Sequence, residues 1–253
     1  MIRHIGIVAC SAEGAALCYL TICREGADIL GRHAHPEITM HTYPLSEYMK
    51  HIYNGDWERV AQLMISSAER VTRAGADFLI CPDNTIHQAF NTVCASTPRP
   101  WIHIADAVIN EAITLGYRSL GILGTRYLME GPVYREKLDA AGILHTIPPE
   151  KEREHINRII FDELVYGHFT DDSKTFFSHV ISSLKKEGCD AVVLGCTEIP
   201  LLITPDVSPL PTLDSTRLLA RTALRAAVGH TGMERLFQGS VCCPKEKSGN
   251  DPS

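Results

Sequence analysis

The chain has 253 residues, with 24 Lys and Arg against 30 Asp and Glu and a formal net charge of −6 at pH 7. Hydrophobic residues make up 45% and charged residues 21% of the chain, which is typical of a globular protein with a buried core. The negative charge argues against nucleic acid as a partner, and no apolar run reaches the roughly 18 residues of a membrane-spanning helix. The N-terminus enters an apolar strand without a signal-peptide pattern, so we expect a cytoplasmic protein with no membrane partner.

Short apolar strands alternate with longer helices along the chain. Strands are predicted over residues 5–9, 78–80, 119–123 and 191–194. Helices are predicted over 57–75 and 174–188, where apolar residues recur every three or four positions and a Gly ends each pattern. This alternation is typical of parallel sheets covered by helices on both faces, so the predicted fold class is α/β.

An internal repeat divides the chain into two similar parts. Residues 75–86 align with residues 188–199 without a gap, and residues 5–8 align with residues 120–123. Both blocks recur in the same order and at nearly the same spacing. The repeat therefore predicts two similar three-layer halves, Rossmann- or flavodoxin-like, related by a pseudo-two-fold axis with a cleft between them.

The predicted boundaries follow from this repeat. Residues 1–100, together with a final helix within 213–230, form the first half, and residues 101–212 form the second. The polar sequence over 238–253 is predicted to be a disordered tail.

The loops after the repeated strands carry the side chains that are suited to chemistry. Ligands of parallel α/β sheets bind beyond the carboxyl ends of the strands, where Asp83 and Cys196 occupy equivalent repeat positions. Two such groups on opposite sides of a cleft can act on opposite faces of a stereocentre. The candidate binding residues in the same loops are Ser11, Asn84, Thr85, Thr125, Arg126 and Thr197. Alternatively, the polar residues satisfy loop backbone groups, and Arg126 forms an ordinary ion pair.

Cysteine usage argues against disulfides and metal sites. Nine cysteines are an odd number, and no Cys-x-x-Cys pair occurs. No His lies at metal-ligand spacing from a Cys or a carboxylate, so we predict free thiols and no bound metal.

Several segments match one family. Residues 194–202, Leu-Gly-Cys-Thr-Glu-Ile-Pro-Leu-Leu, resemble the second-cysteine motif of the aspartate/glutamate racemase superfamily. Residues 123–138 resemble the central motif of that superfamily, and residues 84–87 resemble the segment after its first catalytic residue. The resemblance covers about residues 1–228.

The resemblance implies a cofactor-independent amino-acid racemase. In such enzymes one cysteine removes the α-proton and a second cysteine returns a proton to the opposite face, without a metal or an organic cofactor. It also implies a small amino-acid substrate, aspartate or glutamate by default, a substrate-carboxylate contact from the loop of Ser11, and a homodimer.

The sequence departs from the family pattern at the first catalytic residue, where Asp83 replaces the expected cysteine. An ordinary Asp has a pKa near 3.9, so it acts as a proton donor only if burial or a nearby anion raises that pKa. Three alternatives are open. Asp83 is an acid in an asymmetric Asp/Cys racemase, or it binds the substrate ammonium, or Cys196 works alone on one face. An ionised Asp83 also makes a second substrate carboxylate less favourable.

Two further residues are candidates for a catalytic role beside Asp83 and Cys196. Glu198 either caps the helix after Cys196 or orients that cysteine and carries its proton. His87 either acts near Asp83 or is a buried histidine held by hydrogen bonds.

The predicted function is amino-acid racemisation through Cys196 and Asp83. One alternative is a related one-cysteine enzyme, such as an arylmalonate-type decarboxylase, a hydantoin racemase or a maleate isomerase. The other is a homologue that binds the ligand but has lost catalysis.

Overall fold

A computed structural model describes residues 1–229, so the predicted tail over 238–253 lies outside the described residues. The eight strands are β1 Ile5–Ala9, β2 Ile38–Thr42, β3 Phe78–Ile80, β4 Trp101–Ile102, β5 Ser119–Leu123, β6 Leu144–Thr146, β7 Ala191–Leu194 and β8 Thr212–Asp214. The α-helices before residue 115 are α1 Ala12–Leu30, α2 Leu45–Ile52, α3 Trp57–Arg73, α4 Phe90–Ser96 and α5 Ile104–Thr114. Those that follow are α6 Arg126–Met129, α7 Pro132–Ala141, α8 Glu150–Asp162, α9 Asp171–Lys186, α10 Ile199–Leu202 and α11 Ser215–Val228. Two short 3-10 helices cover Thr85–Ala89 and Leu164–Tyr166.

The strands form two parallel sheets with the same topology. The first has the order β2-β1-β3-β4 and the second has the order β6-β5-β7-β8. Strands β3 and β7 therefore occupy the same position in their sheets, as do β1 and β5. This identity of order confirms the predicted α/β fold with two similar halves.

Two glycines of the repeat allow helices to lie close against the sheets. A Cβ atom on Gly6 of β1 would lie 2.5 Å from Leu79 Cδ2 and 3.0 Å from Val71 Cγ2 of α3. A Cβ atom on Gly121 of β5 would lie 2.8 Å from Leu184 Cδ1 of α9. The same packing requirement in both halves explains why glycine recurs in the two aligned strands.

Sheet membership differs slightly from the predicted boundaries. Strand β4, which follows residue 100, pairs with β3 in the first sheet, and β8, which extends past residue 212, pairs with β7 in the second. Each sheet therefore ends two residues beyond the boundary that the repeat suggested, because the aligned blocks did not include the fourth strands.

The helix after each fourth strand packs on the other half of the protein. Helix α11 contacts α1, and α5 contacts α7, while α5 and α11 contact each other between the two halves. Arg221 of α11 donates to both carboxylate oxygens of Glu25 of α1, at 2.9–3.0 Å. Ten of the fourteen residues of α11 are buried, so this exchange of helices joins the two halves through a common apolar core.

A helix that crosses a membrane must be about 20 residues long and predominantly apolar. Within residues 1–229, no helix is both long enough and apolar enough to cross a membrane.

Candidate active site

The two halves enclose a cleft at the carboxyl ends of their strands. It encloses about 600 Å³, including space open to solvent, which is within the range of small-molecule sites. Its polar residues come from the loops after β1, β3, β5 and β7, and each half contributes two of these four loops. The polar residues lining the cleft are Ser11, Asp83, Asn84, Thr85, Thr125, Thr197 and Glu198, beside the thiols of Cys10 and Cys196.

Asp83 follows β3 and presents its carboxylate to the cleft. Its Oδ2 accepts a hydrogen bond from the Cys10 backbone N–H at 3.0 Å, and its Oδ1 accepts one from the Ser11 backbone N–H at 3.1 Å. Burial raises the pKa of Asp83 from 3.8 to about 6, against the effect of these donors, and the negative charge of Glu198 adds to the rise. Asp83 can therefore exist in both protonation states near neutral pH.

Cys196 occupies the equivalent place after β7. Its Sγ donates a hydrogen bond to Oε2 of Glu198 at 2.9 Å. The residue is partly exposed and lines the cleft. Burial raises the pKa of Cys196 well above its usual value, and the negative charges of Glu198 and Asp83 act in the same direction. In the ligand-free protein near neutral pH, Cys196 is therefore a thiol, and Glu198 accepts its hydrogen bond.

Asn84 is held by residues that lie far from it in the chain. The Tyr134 hydroxyl of α7 donates to Asn84 Oδ1 at 2.8 Å, and Asn84 Nδ2 donates to Ser215 Oγ at 2.9 Å. Ser215 in turn donates to the Leu194 carbonyl at the end of β7. Because all of these groups are buried and paired, the network fixes the Asn84 side chain at the cleft.

The remaining threonines link the halves across the base of the cleft. Thr85 Oγ1 lies 3.0 Å from Thr125 Oγ1, which joins the loop after β3 to the loop after β5. Thr125 also caps α6 by accepting from the Leu128 backbone N–H, as Ser11 caps α1 by accepting from Gly14. Thr197 is buried against Gly14 at the first turn of α1. These hydroxyls and helix starts are suited to holding a carboxylate, in part through backbone N–H groups.

The expected catalytic role of His87 requires correction. His87 does not line the cleft, and both of its ring nitrogens have backbone partners. Its Nδ1 donates to the Asp83 carbonyl at 2.8 Å, and its Nε2 accepts from the Ile104 N–H at 3.4 Å. Burial lowers the pKa of His87 to about 4, so the ring is neutral at pH 7. His87 is therefore a buried histidine held by hydrogen bonds, which is the second of the two roles considered from sequence.

The expected substrate-binding role of Arg126 also requires correction. Arg126 is exposed and does not line the cleft. Its guanidinium lies 5.5 Å from the centroid of the Tyr127 ring, and its backbone N–H donates to Asn157 Oδ1. Because Arg126 is the first residue of α6, its side chain points outward while Thr125, the cap, faces the cleft.

The walls of the cleft are apolar, and sequence reasoning missed them. From the first half come Leu45, Met49 and Ile52 of α2. The opposite wall consists of Tyr127, Ile160, Phe161 and Val165. The apolar spacing at positions 45, 49 and 52 is a helical signal, but such a face is typical of core packing as well as of a binding wall.

Comparison with known proteins agrees with this arrangement. A family model for Asp/Glu/hydantoin racemases matches residues 13–223. A candidate Asp/Glu racemase from Yersinia pestis has a structure with a TM-score of 0.83 and 31% identity, over 90% of this chain and all of that one. An aspartate racemase homologue from Pyrococcus horikoshii OT3 has a TM-score of 0.79 and 28% identity, over the same shares of the two chains.

A relative that is named as an amino-acid racemase matches the chain at lower identity. The broad specificity amino-acid racemase RacX of Bacillus subtilis (strain 168) is 21% identical over 169 residues, which cover 67% of this chain and 73% of that protein. RacX is named as a racemase, and racemases are isomerases. Since the family model spans most of the chain and the two-sheet fold is shared with racemase structures, the protein belongs to the Asp/Glu/hydantoin racemase family.

Proposed function

We propose that the protein racemises an α-amino acid by exchanging its α-proton between Asp83 and Cys196. One observation carries the proposal: the two residues follow β3 and β7, the equivalent strands of the two halves, and both line a single cleft. A substrate held between them presents opposite faces of its α-carbon to the two groups. Racemisation needs an acid and a base on opposite faces, so this arrangement supports it directly.

The substrate carboxylate is placed by the polar base of the cleft. Asn84, Thr85, Thr125 and Thr197 offer side-chain donors there, and the Thr85 and Thr125 hydroxyls already form a pair that a carboxylate oxygen can bridge. The α-ammonium then lies nearer to the carboxylates of Asp83 and Glu198, which it attracts. Such a pose leaves the α-hydrogen directed to one side of the cleft.

Proton transfer begins from the dominant protonation state. Near pH 7 Asp83 is largely ionised, because its pKa is about 6. Cys196 is a thiol at that pH, because its pKa lies well above the usual value for a cysteine. The Asp83 carboxylate takes the α-proton from one enantiomer, and the Cys196 thiol gives its proton to the opposite face. The other enantiomer uses the complementary state, in which Asp83 is protonated and Cys196 is a thiolate. The first state returns when Cys196 regains a proton, with Glu198 as the adjacent proton-transfer group, and Asp83 releases to solvent the proton that it took from the substrate.

The test follows the α-proton directly. The wild-type protein, Cys196→Ser and Asp83→Asn are incubated in D₂O with both enantiomers of a panel of amino acids. Proton NMR measures loss of the α-proton signal, and chiral chromatography measures inversion. Exchange with inversion that disappears in both variants supports two-base racemisation.

Other outcomes contradict the proposal in distinct ways. Exchange without inversion, lost only in Cys196→Ser, assigns the chemistry to one face and leaves Asp83 a binding residue. No exchange with any amino acid contradicts amino-acid racemisation, and malonates, hydantoins and maleate are then the substrates to examine. Stabilisation of the protein by an amino acid without any exchange identifies a binding protein.

Two expectations from sequence remain predictions. We propose a cytoplasmic location, which imaging of a tagged protein in the source cells would test. We also propose a homodimer, by analogy with the family. Light scattering during size-exclusion chromatography would measure its mass, and a monomeric mass at micromolar concentration would contradict the dimer.

A further inference from the structure

We propose that the substrate of this cleft is an α-amino acid with an apolar side chain, rather than an acidic or a basic one. The inference rests on the proposed racemase function and concerns only the part of the substrate beyond the α-carbon. It departs from the acidic substrate that the family resemblance suggests by default. Its basis is the separation of polar and apolar residues within the cleft.

The cleft offers no countercharge for a side-chain carboxylate. Among the lining residues in the described part of the chain, none is Lys, Arg or His. Arg126, which directly follows the cleft residue Thr125 in the chain, is exposed and lies against Tyr127 outside the cleft. The charged groups that do line it are the carboxylates of Asp83 and Glu198, which repel a second substrate carboxylate. Aspartate and glutamate are therefore disfavoured by charge.

A basic side chain also lacks a suitable partner. Asp83 accepts hydrogen bonds from the backbone of Cys10 and Ser11, and Glu198 accepts from the thiol of Cys196. Both carboxylates therefore belong to the reacting end of the cleft, beside the α-carbon. Within residues 1–229, the lining contains no other acidic residue that could pair with a side-chain ammonium or guanidinium.

The walls instead match an apolar side chain. Leu45 and Met49 of α2 face the cleft from one side, and Phe161 and Val165 face it from the other; all four are half-buried in the ligand-free protein. Their exposed parts would lose water contact when an apolar group fills the space between them. A charged or amide group in the same place would lose its water without gaining a hydrogen-bond partner.

The experiment measures specificity with the native protein. Initial rates of α-proton exchange in D₂O are determined for leucine, methionine and phenylalanine, and for aspartate, glutamate and lysine. We expect kcat/KM to be about 100-fold higher for the preferred apolar amino acid than for any charged one. A charged side chain would lose its water in the cleft without gaining a partner. Two variants, Phe161→Arg and Val165→Arg, each introduce a positive charge into the apolar wall. Each should lower kcat/KM for leucine at least tenfold and raise it for glutamate.

The matched control is Phe169→Arg, which places the same charge on an exposed residue outside the cleft. It should leave both rates unchanged. Faster exchange of aspartate or glutamate than of every apolar amino acid would overturn this inference and leave the racemase proposal intact. Faster exchange of lysine would do the same. Absence of exchange with all amino acids would overturn the racemase proposal itself, and this inference with it.

Discussion

The thiol of Cys196 lies 2.9 Å from the carboxylate of Glu198, to which it donates its hydrogen. The two residues are separated by a single position in the loop between β7 and α10, so the contact arises from local backbone geometry. Glu198 is 2% exposed, and its charge raises the pKa of Cys196 beyond the effect of burial. Near neutral pH the proton therefore stays on the sulfur of Cys196, whereas Asp83, with a pKa of about 6, is largely ionised.

Replacing Glu198 by Gln should release Cys196 from this carboxylate. Without the negative charge the pKa of Cys196 falls, so alkylation by iodoacetamide near pH 8 should become several-fold faster than in the wild-type protein. Exchange of the α-proton should slow by roughly 100-fold if Glu198 relays the proton. Cys196→Ser provides the background from the other cysteines, and Glu130→Gln removes an exposed carboxylate of a surface ion pair as a control. Unchanged alkylation in Glu198→Gln would contradict this account.

The activity should depend on pH through Asp83. Burial and the charge of Glu198 raise the pKa of Asp83 to about 6, so below that pH both proton carriers hold a proton and no base remains. We expect kcat/KM to be level above about pH 7 and to fall tenfold per pH unit below about pH 6. The fall should be the same for both enantiomers, because their interconversion has an equilibrium constant of one. An acid limb near pH 4 in the profile would show that Asp83 is not the group being titrated.

Tyr134 should affect substrate binding by positioning Asn84, rather than by contacting the substrate itself. Tyr134→Phe leaves Asn84 Oδ1 buried without its donor, which should lower the free energy of unfolding by about 1–3 kcal/mol. A loosened Asn84 should also raise KM several-fold while changing kcat little. Denaturant unfolding and steady-state kinetics measure the two effects. Tyr166→Phe, on an exposed tyrosine, is the control and should change neither; an unaltered KM in Tyr134→Phe would argue against the positioning role.

Gly14→Ala should have two opposing effects on stability, one from helix propensity and one from packing beside the cleft. An Ala within a helix is favoured over Gly by about 1 kcal/mol, so α1 alone predicts a more stable protein. The added Cβ would, however, lie 2.6 Å from Thr197 Cγ2, and a short threonine side chain cannot move away without shifting its loop. We expect lower stability and at least tenfold lower kcat/KM, measured by thermal unfolding and exchange assays. Greater stability with full activity would mean that the two loops are not in the contact described.

The repeat in the sequence was sufficient to pair Asp83 with Cys196. Each residue follows a short apolar strand within a block that recurs, and local patterns of this kind determine strand position and loop identity. The positions of Ser11, Thr125 and Glu198 at the cleft were also predictable, because each lies within a few residues of the end of a strand. His87 and Arg126 were less accessible, because sequence spacing does not say which way a side chain points at the start of a helix.

The sequence by itself determined the α/β class, the two-fold repetition and the places of Asp83 and Cys196, since these depend on local periodicity and on a motif of adjacent residues. Only the tertiary structure decided what surrounds them. Asn84 is held by Tyr134 and Ser215, which are 50 and 131 positions away in the chain. Most of the apolar wall residues come from α2 and from residues 160–165, which meet because loops from both sheets line the same cleft. The burial of Asp83 results from this packing and not from any one segment, and burial is what raises its pKa. The charges that line the cleft are likewise set by which segments the packing brings together.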